Sequence, residues 1–301
     1  MGVRDLLVTY RVFCYGISVG VCIASLGCSS TRNSDSKDQY RIENKQISSG
    51  YSRKDEWIQA DGFGVFVETE DVKQLELAFA TKCSSLRIVN TTIADMSRFS
   101  PLFTDELKQL EIYSPIATNL PNLAGCNLER LSVSGSELQD ISGLEGAKVG
   151  QVRITYSRVQ SLAPLRGTGV YSLDISGTAV TSLADITGEP IRFLHMGETE
   201  ISDISPLETM CLISLQADST NIKSLAPLRH SNLQYIYIDQ TRVTDLTPLI
   251  GQPLKNISFD FWRIRDGWDA IMQCSTLETL NRKPAQEVIE YWRPRLTNKE
   301  L

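Results

Sequence analysis

The sequence predicts a curved repeat solenoid of the α/β or mostly β class, with one parallel sheet and a helical cap at its C-terminal end. Apolar residues recur every 21 positions in one frame, at Leu110, Leu131, Val152, Leu173, Leu194, Leu215, Ile236 and Ile257. Further apolar residues stand at offsets +2, +7, +10 and +13 from the first seven of these positions. A fixed period of about 20 to 50 residues is typical of stacked coils rather than of a compact globular domain.

Each coil is expected to contribute one short strand. Offsets 0 and +2 differ by the strand period, so both side chains enter the core, while offsets −1, +1 and +3 point to the opposite face. The strands therefore form a parallel sheet whose outer face lines the concave side. The frame also reaches back through Leu86 to Val65, which predicts about ten coils over residues 58–281.

The connections between strands carry two recurring residue types. Offset +5 is a serine or threonine in most coils, and a small hydroxyl there is expected to bond the backbone of its own or the adjacent coil. Offset +12 is proline in the motif Ala/Ser/Thr-Pro-Leu, at Pro164, Pro206, Pro227 and Pro248. Proline fixes φ and donates no hydrogen bond, which suits a tight turn on the convex side.

The repeats resemble a known family. Segments such as LISLQADSTNIKSLAPL, LQYIYIDQTRVTDLTPL and IRFLHMGETEISDISPL look like the short bacterial leucine-rich repeats of internalins and related secreted proteins. The resemblance covers roughly residues 60–290. It implies a leucine-rich repeat solenoid, which is a scaffold whose function depends on the surface placed upon it.

The C-terminal residues 282–301 are predicted to form a capping helix, since a repeat array exposes an apolar end that must be covered. The period fails after Phe259. Asp266 is expected to cap a short helix, and Pro284 to begin a second one with Val288, Ile289 and Trp292 on one face. The Lys-Pro-Ala sequence before this helix resembles the closing segment of the same repeat family. The tryptophans are expected in core packing rather than as ligand anchors.

The N-terminal residues 1–28 resemble a secretory signal of the lipoprotein type, because Arg4 and Arg11 precede an apolar stretch that ends in SLGC at Cys28. Cys28 is then the site of lipid attachment. The alternative is an uncleaved span over residues 12–31, since about 20 residues can cross a bilayer. Residues 29–57 are polar and are predicted to form a flexible tether. Either alternative places the repeats outside the cytoplasm, at the periplasmic or outer-membrane side of a bacterial cell envelope.

Composition excludes several classes of partner and site. A formal net charge of −6 and a pI near 5.2 lack the basic footprint of a nucleic-acid-binding protein. Cys83, Cys126, Cys211 and Cys274 fall in coils too far apart for disulfides, so buried thiols are expected. No paired Cys-x-x-Cys or other metal spacing is present, and no cofactor is predicted.

No enzymatic activity is predicted. His195 and Asp174 share offset +1 on neighbouring strands, so the carboxylate could hold the imidazole as in a nucleophilic triad. The nearest serines are Ser172, Ser176 and Ser214, at positions where the repeat merely tolerates small polar residues. A surface hydrogen bond is the favoured interpretation of His195.

A binding patch is predicted on the concave face of the C-terminal coils, whereas the N-terminal half of this face is expected to be small and polar. The predicted binding residues are Phe193, His195, Asp218, Tyr235, Tyr237, Asp239 and Asp260. Aromatic anchors beside stacked carboxylates favour a basic protein surface as partner. A hydrated acidic face without a ligand, or a calcium ion, remains open as an alternative.

The sequence therefore predicts an exported, membrane-anchored leucine-rich repeat module that binds a protein without catalysis. The alternative is a structural envelope protein that contacts wall polymer. A sensor arm of a kinase is disfavoured because no kinase segment shares this chain.

Overall fold

The computed structural model describes residues 64–68, 84–89, 93–97, 106–134 and 137–297. The candidate signal with Cys28, the alternative span 12–31 and the tether lie outside the described residues. Among the helices of the described ranges, none combines the length and the apolar character that crossing a membrane requires.

One sheet contains the strands of the described residues, in the order in which the chain forms them. Its twelve strands are β1 Gly64–Glu68, β2 Ser85–Val89, β3 Gln109–Tyr113, β4 Asn127–Ser134, β5 Lys148–Thr155, β6 Ser172–Asp174, β7 Phe193–His195, β8 Ser214–Gln216, β9 Tyr235–Tyr237, β10 Asn256–Ser258, β11 Thr279–Leu280 and β12 Lys283–Pro284. Strands β1 to β11 pair in parallel, and β12 pairs antiparallel with β11. The predicted fold class, a curved solenoid with one parallel sheet and a C-terminal helical cap, is confirmed.

The core runs along the inside of the coils. From Leu86 onward, the described side chains at offsets 0 and +2 are at most 2% exposed. Short 3₁₀ helices form the opposite wall, at Ser142–Leu144, Ala163–Leu165, Ala184–Ile186, Ser205–Leu207, Ala226–Leu228 and Thr247–Leu249. Proline at offset +12 lies in the first turn of four of them, where its missing N–H has no partner to lose.

Two polar ladders hold the connections between strand and 3₁₀ helix. In four coils a threonine at offset +5 donates to the carbonyl three residues earlier, as predicted, at 2.7 Å from Thr199 Oγ1 to Met196 O, whereas the buried Ser157 hydroxyl at this offset makes no hydrogen bond among the described residues. Thr178, Thr220 and Thr241 repeat this bond. The second ladder was missed in the sequence: an Asp or Ser at offset +9 accepts from the N–H two residues later, as Asp203 does from Ser205 at 2.8 Å.

A left-handed residue follows each strand at offset +4 in five consecutive coils. Tyr156, Gly177, Glu198, Ser219 and Gln240 have φ between 50° and 65°. The conformation turns the N–H toward the next coil, where Glu198 N donates to Asp218 O at 2.9 Å. For a residue other than glycine, this backbone costs about 1 kcal/mol, which the inter-coil bond offsets.

The C-terminal cap consists of β11, β12 and two helices, α1 Asp269–Met272 and α2 Ala285–Thr297. Two of its predicted boundaries are wrong. Trp268, not Asp266, is the N-cap of α1, because Asp266 is used in a bridge to Asp245 of the preceding coil. Pro284 belongs to β12, and α2 begins one residue later.

An aromatic cluster joins the cap to the last coil. Phe261 stacks on Trp292 at 4.9 Å between ring centroids and on Trp268 at 6.0 Å. The prediction of packed tryptophans is therefore correct for Trp268 and Trp292. It is wrong for Trp262, which is 78% exposed because the turn Phe261–Arg263 points it outward.

The three described cysteines are free thiols, as the coil spacing predicts. Cys126 is buried and Cys274 is half-buried, with its Sγ atom 3.4 Å from Leu254 O. Cys211 is exposed, which corrects the expectation of a buried thiol there. It stands between Met210 and Leu212, which both point into the core, so the thiol takes the outward position. Cys83 lies outside the described residues.

Candidate binding face

The C-terminal half of the concave face carries an aromatic strip formed by Phe193, Tyr235 and Tyr237. Phe193 on β7 and Tyr235 on β9 are both paired with Ser214 of β8, which stands between them. Ser214 is only 8% exposed, and we call the place that this small residue occupies between the two aromatic residues the notch. At about 4.8 Å per strand, the two flanking strands are about 10 Å apart, which gives room for one side chain or one extended segment.

His195 and Tyr237 lie in the adjacent row. Gln216 separates them in the same register, and all three side chains are half-buried. Each row thus presents rings to solvent on one side while the opposite side of the strand faces the core. The structure brings these four predicted residues, Phe193, His195, Tyr235 and Tyr237, onto one continuous surface.

The aspartates of the patch are not equivalent. Asp218 and Asp239 are half-buried on consecutive coils, and Asp218 lies over Gly197, where an added Cβ would be 3.1 Å from Asp218 Oδ1. Asp260 differs because its Oδ2 atom accepts from Arg263 Nε at 3.2 Å and from Gln240 N at 3.1 Å. The expected stack of three equivalent carboxylates is therefore reduced to Asp218 and Asp239.

The structure does not pair His195 with Asp174. The two residues are in register, but the Asp174 carboxylate pairs with Arg153 Nε at 3.2 Å and accepts from Ser176 Oγ at 2.8 Å. No hydrogen bond joins His195 to Asp174 in the described part of the chain. Arg153 and His195 both lie next to Asp174 on neighbouring strands, and the longer arginine side chain forms the ion pair with the carboxylate.

The N-terminal half of the concave face is charged rather than small and polar, which corrects the expectation. Arg87 pairs with Glu111, a carboxylate on a residue only 7% exposed, and Arg87 also lies 5.9 Å above the Tyr113 ring. Arg130 follows on β4, and burial lowers the pKa of its guanidinium. Opposite charges that face each other on neighbouring strands stabilise such a face more than isolated charges do.

The ranges that the structure describes contain no group of side chains suited to bind a metal ion. No three His, Cys, Asp or Glu side chains gather there in a way that could hold an ion. The calcium alternative for the aspartates therefore gains no support, because Asp218 and Asp239 supply only part of the six to eight oxygens that calcium prefers.

Comparison with solved structures identifies relatives of the fold. An internalin, inlF, from Listeria monocytogenes matches with a TM-score of 0.52 and 15% identity, over 70% of each chain. The internalin C2, inlC2, from the same species matches with a TM-score of 0.44 and 22% identity, over 51% of this chain and 69% of that one. The APL1 leucine-rich repeat domain matches with a TM-score of 0.42 and 12% identity, over 65% and 67%.

No protein-family model and no curated protein matches the sequence. At 15% identity, the first of these likenesses shows the fold alone. The chain thus has a leucine-rich repeat fold of the kind found in internalins.

Proposed function

We propose that this protein is an exported, membrane-anchored module that binds another protein through the C-terminal half of its concave face, without catalysis. The observation that carries the proposal is the aromatic strip with its notch over Ser214. Phe193 and Tyr235 share one row and Tyr237 lies in the adjacent row, while the coil between them carries serine and glutamine at these positions. Tyrosine is enriched among the residues that dominate the binding energy of protein interfaces, because it buries a large rigid ring and still offers a hydroxyl.

The charge beside the strip selects the chemistry of the partner. Asp218 and Asp239 are close enough on neighbouring coils to repel one another. A cationic group that settles between them relieves this repulsion, so a basic segment with an apolar or aromatic residue for the notch is the favoured ligand. Such charges act mainly on the association rate and are screened by salt.

Export and anchoring belong to the same proposal and are supported by the sequence of residues 1–28. The apolar stretch before Cys28 favours lipid attachment at that cysteine, and the polar residues 29–57 would hold the repeats away from the membrane. An uncleaved span over residues 12–31 gives the same location on the outside of the membrane. The binding face is then presented to proteins of the envelope or beyond it.

The experiment compares the full chain with the variant Tyr235→Ala, Tyr237→Ala. Proteins and wall polymer captured from an envelope extract are first identified with the wild type, and the affinity for the purified protein is then measured. We expect the double variant to lose at least tenfold in affinity with unchanged circular dichroism, because truncating two interface tyrosines costs about 2 kcal/mol or more. The matched control is Tyr291→Ala, an equally large and 58% exposed ring on the capping helix.

Two results would contradict the proposal. Full retention of the protein by the double variant moves the interface away from the aromatic strip. Capture of polymer alone, equally by the wild type and the double variant, favours the structural envelope protein instead. The variant Asp239→Asn separates the contribution of the charge from that of the aromatic strip. It should reduce the salt dependence of binding while keeping the notch.

A further inference from the structure

A groove runs along β8 on the concave face, between two ridges of aromatic side chains. In both rows of this face the rings lie on β7 and β9, whereas β8 carries a serine and a glutamine. Strands β6 and β10 carry no aromatic residue at the paired positions, so the two ridges enclose a single groove. We call it the β8 groove, and the six residues that line it are Phe193, His195, Ser214, Gln216, Tyr235 and Tyr237.

The side chains that line the β8 groove make no polar or ring contact with other residues in the described part of the chain. No hydrogen bond, ion pair or stacking interaction there involves any of the six side chains. The N-terminal half of the same face differs, because Arg87 pairs with Glu111 and Arg153 pairs with Asp174. The two tyrosine hydroxyls, the imidazole and the glutamine amide of the groove therefore keep their hydrogen-bonding capacity for solvent or a ligand.

The width of the β8 groove excludes a helical ligand. Strands β7 and β9 lie about 10 Å apart, at about 4.8 Å per strand. Carbon atoms pack at about 3.5 to 4 Å, so one layer of ligand atoms between two walls needs about 7 to 8 Å. An α-helix with its side chains is about 10 to 12 Å wide and would remain above the ridges. A single extended chain is narrow enough to enter between them.

The β8 groove ends at an acidic residue. Asp218 follows Gln216 by two residues, and its carboxylate leans over Gly197, where an added Cβ would lie 3.1 Å from Oδ1. Because Gly197 adds no side chain to the β7 ridge, nothing on that strand covers the carboxylate. Ser214 lies four residues before Asp218, which is a span of about 13 Å at the rise of a strand. A ligand that fills the groove thus needs an apolar residue at one end and a cation at the other.

From this geometry we infer that the β8 groove binds a proline-rich segment in the polyproline II conformation, with a basic residue three positions from the proline that lies over Ser214. This conformation has three residues per turn and a rise of about 3.1 Å, so residues three apart share one face at a distance of about 9.3 Å. A lysine or arginine side chain covers the remaining distance of about 4 Å to Asp218. Asp239 on the next coil lies beside the same cation.

A β-strand is a poorer occupant of the groove. Its main-chain affinity comes from pairing with a sheet edge, and the concave face presents side chains instead of an edge. A polyproline II segment has no internal hydrogen bonds, so its carbonyls can accept from the hydroxyls of Tyr235 and Tyr237. Its preformed conformation loses little entropy on binding, and grooves lined by aromatic side chains are its usual sites. The inference rests on the proposed function and gives the basic segment of the partner a conformation.

Three synthetic peptides test the groove without the partner protein. The arginine peptide is acetyl-PPPPRPPPP-amide, which has a proline three positions from the arginine on both sides. The glutamine peptide replaces the arginine with glutamine, and the glycine-serine peptide, acetyl-GSGSRGSGS-amide, keeps the charge on a flexible chain. Each is titrated into the ¹⁵N-labelled full chain while the Ser214 backbone amide and the Gln216 side-chain amide are followed. We expect a saturable shift with the arginine peptide, and an affinity lower by about tenfold or more for both controls.

Variants assign the shift to the groove. Ser214→Leu places a larger side chain between the ridges and should abolish binding. Its matched control is Ser172→Leu, in the same row on β6, which should bind as the wild type does. Asp218→Asn should weaken the arginine peptide to the level of the glutamine peptide and leave the glutamine peptide unchanged. Circular dichroism checks that each variant is folded.

The inference is overturned if the arginine peptide gives no saturable shift, if the glycine-serine peptide binds equally well, or if Ser214→Leu binds like the wild type. The proposed function stands or fails separately. A protein captured through Tyr235 and Tyr237, with no shift from the arginine peptide, would reject the polyproline II ligand and keep the interface. A peptide that binds the groove, with protein capture that does not depend on these tyrosines, would reject the proposed interface alone.

Discussion

Asn281, in the turn between β11 and β12, hydrogen-bonds Phe259 with its side chain where the short strand β11 has ended, and removing it gives a sharp test of how the last coil is joined to the cap. In earlier coils the N–H at offset +2 donates to the next strand, as Ile238 N does to Ser258 O, and the carbonyl of the same residue accepts from a threonine. Phe259 occupies offset +2 in the last coil and has neither partner. The Asn281 amide replaces both, accepting from Phe259 N at 2.9 Å and donating to Phe259 O at 2.7 Å.

The variant Asn281→Ala leaves the Phe259 N–H and carbonyl unsatisfied beside a residue that is 1% exposed. Each unsatisfied buried group costs about 1 to 3 kcal/mol. Asn281 also has φ of 49°, and alanine in this left-handed region adds about 1 kcal/mol that glycine avoids. We therefore expect the free energy of unfolding to fall by about 3 to 7 kcal/mol in Asn281→Ala, and by about 1 kcal/mol less in Asn281→Gly.

Urea unfolding measures this difference, followed by the fluorescence of the tryptophans and by circular dichroism. Trp268 and Trp292 report the cap, while circular dichroism reports the whole solenoid. The control is Asn221→Ala, because the Asn221 amide bonds Glu200 at the surface and its loss should cost less than about 0.5 kcal/mol. A loss below about 1 kcal/mol in Asn281→Ala would refute the view that its amide replaces the two hydrogen-bond partners that Phe259 lacks.

Three further outcomes are expected. Thr199→Val should lower the free energy of unfolding by about 1 to 2 kcal/mol, because it leaves the buried Met196 carbonyl without its hydroxyl donor. Thr199→Ser should remain closer to the wild type in the same urea titration. Hydrogen bonds from the Ser205 N–H and hydroxyl lower the pKa of Asp203, so its contribution to stability is present above its unfolded pKa and is lost as the pH falls through the lower folded value. The melting temperatures of the wild type and Asp203→Ala should therefore converge below about pH 4, and a constant difference would contradict this. Metabolic labelling with a fatty-acid analogue should mark the wild type and not Cys28→Ser, whereas labelling that survives the substitution would reject the lipoprotein interpretation.

The sequence was sufficient for the parts of the fold that depend on apolar spacing. A residue such as Leu194 is buried because its neighbours at the same offset are apolar in every coil, and a regular period states this directly. The hydroxyl at offset +5 was predictable for the same reason, since Thr178, Thr199, Thr220 and Thr241 repeat one local bond. An interaction that is local and recurs from coil to coil can be predicted from a single sequence, because the residue type that makes it repeats at a fixed spacing.

Features that depend on competition between neighbours could not be predicted. Asp174 stands between Arg153 and His195, and only the geometry of the side chains decides that arginine takes the carboxylate. The left-handed residue at offset +4 carries no glycine signal, because Tyr156, Glu198, Ser219 and Gln240 adopt it as well as Gly177. The eight-residue length of β4 and β5 was missed because the 21-residue period does not record how long each strand is.

The left-handed residue at offset +4 also bears on how such a protein can change in length during evolution. Its N–H reaches the carbonyl at offset +3 of the following coil with the same atoms each time, from Tyr156 N to Ser176 O through Ser219 N to Asp239 O. This hydrogen bond joins backbone atoms and does not depend on the side chain. A duplicated coil of 21 residues could therefore form the same bonds wherever it was inserted among these coils. A coil inserted between β7 and β9 would widen the distance between Phe193 and Tyr235 by about 4.8 Å, while the cap after β10 stayed the same. The spacing of side chains along one face can thus be adjusted in strand-sized steps, by copying rather than by redesign.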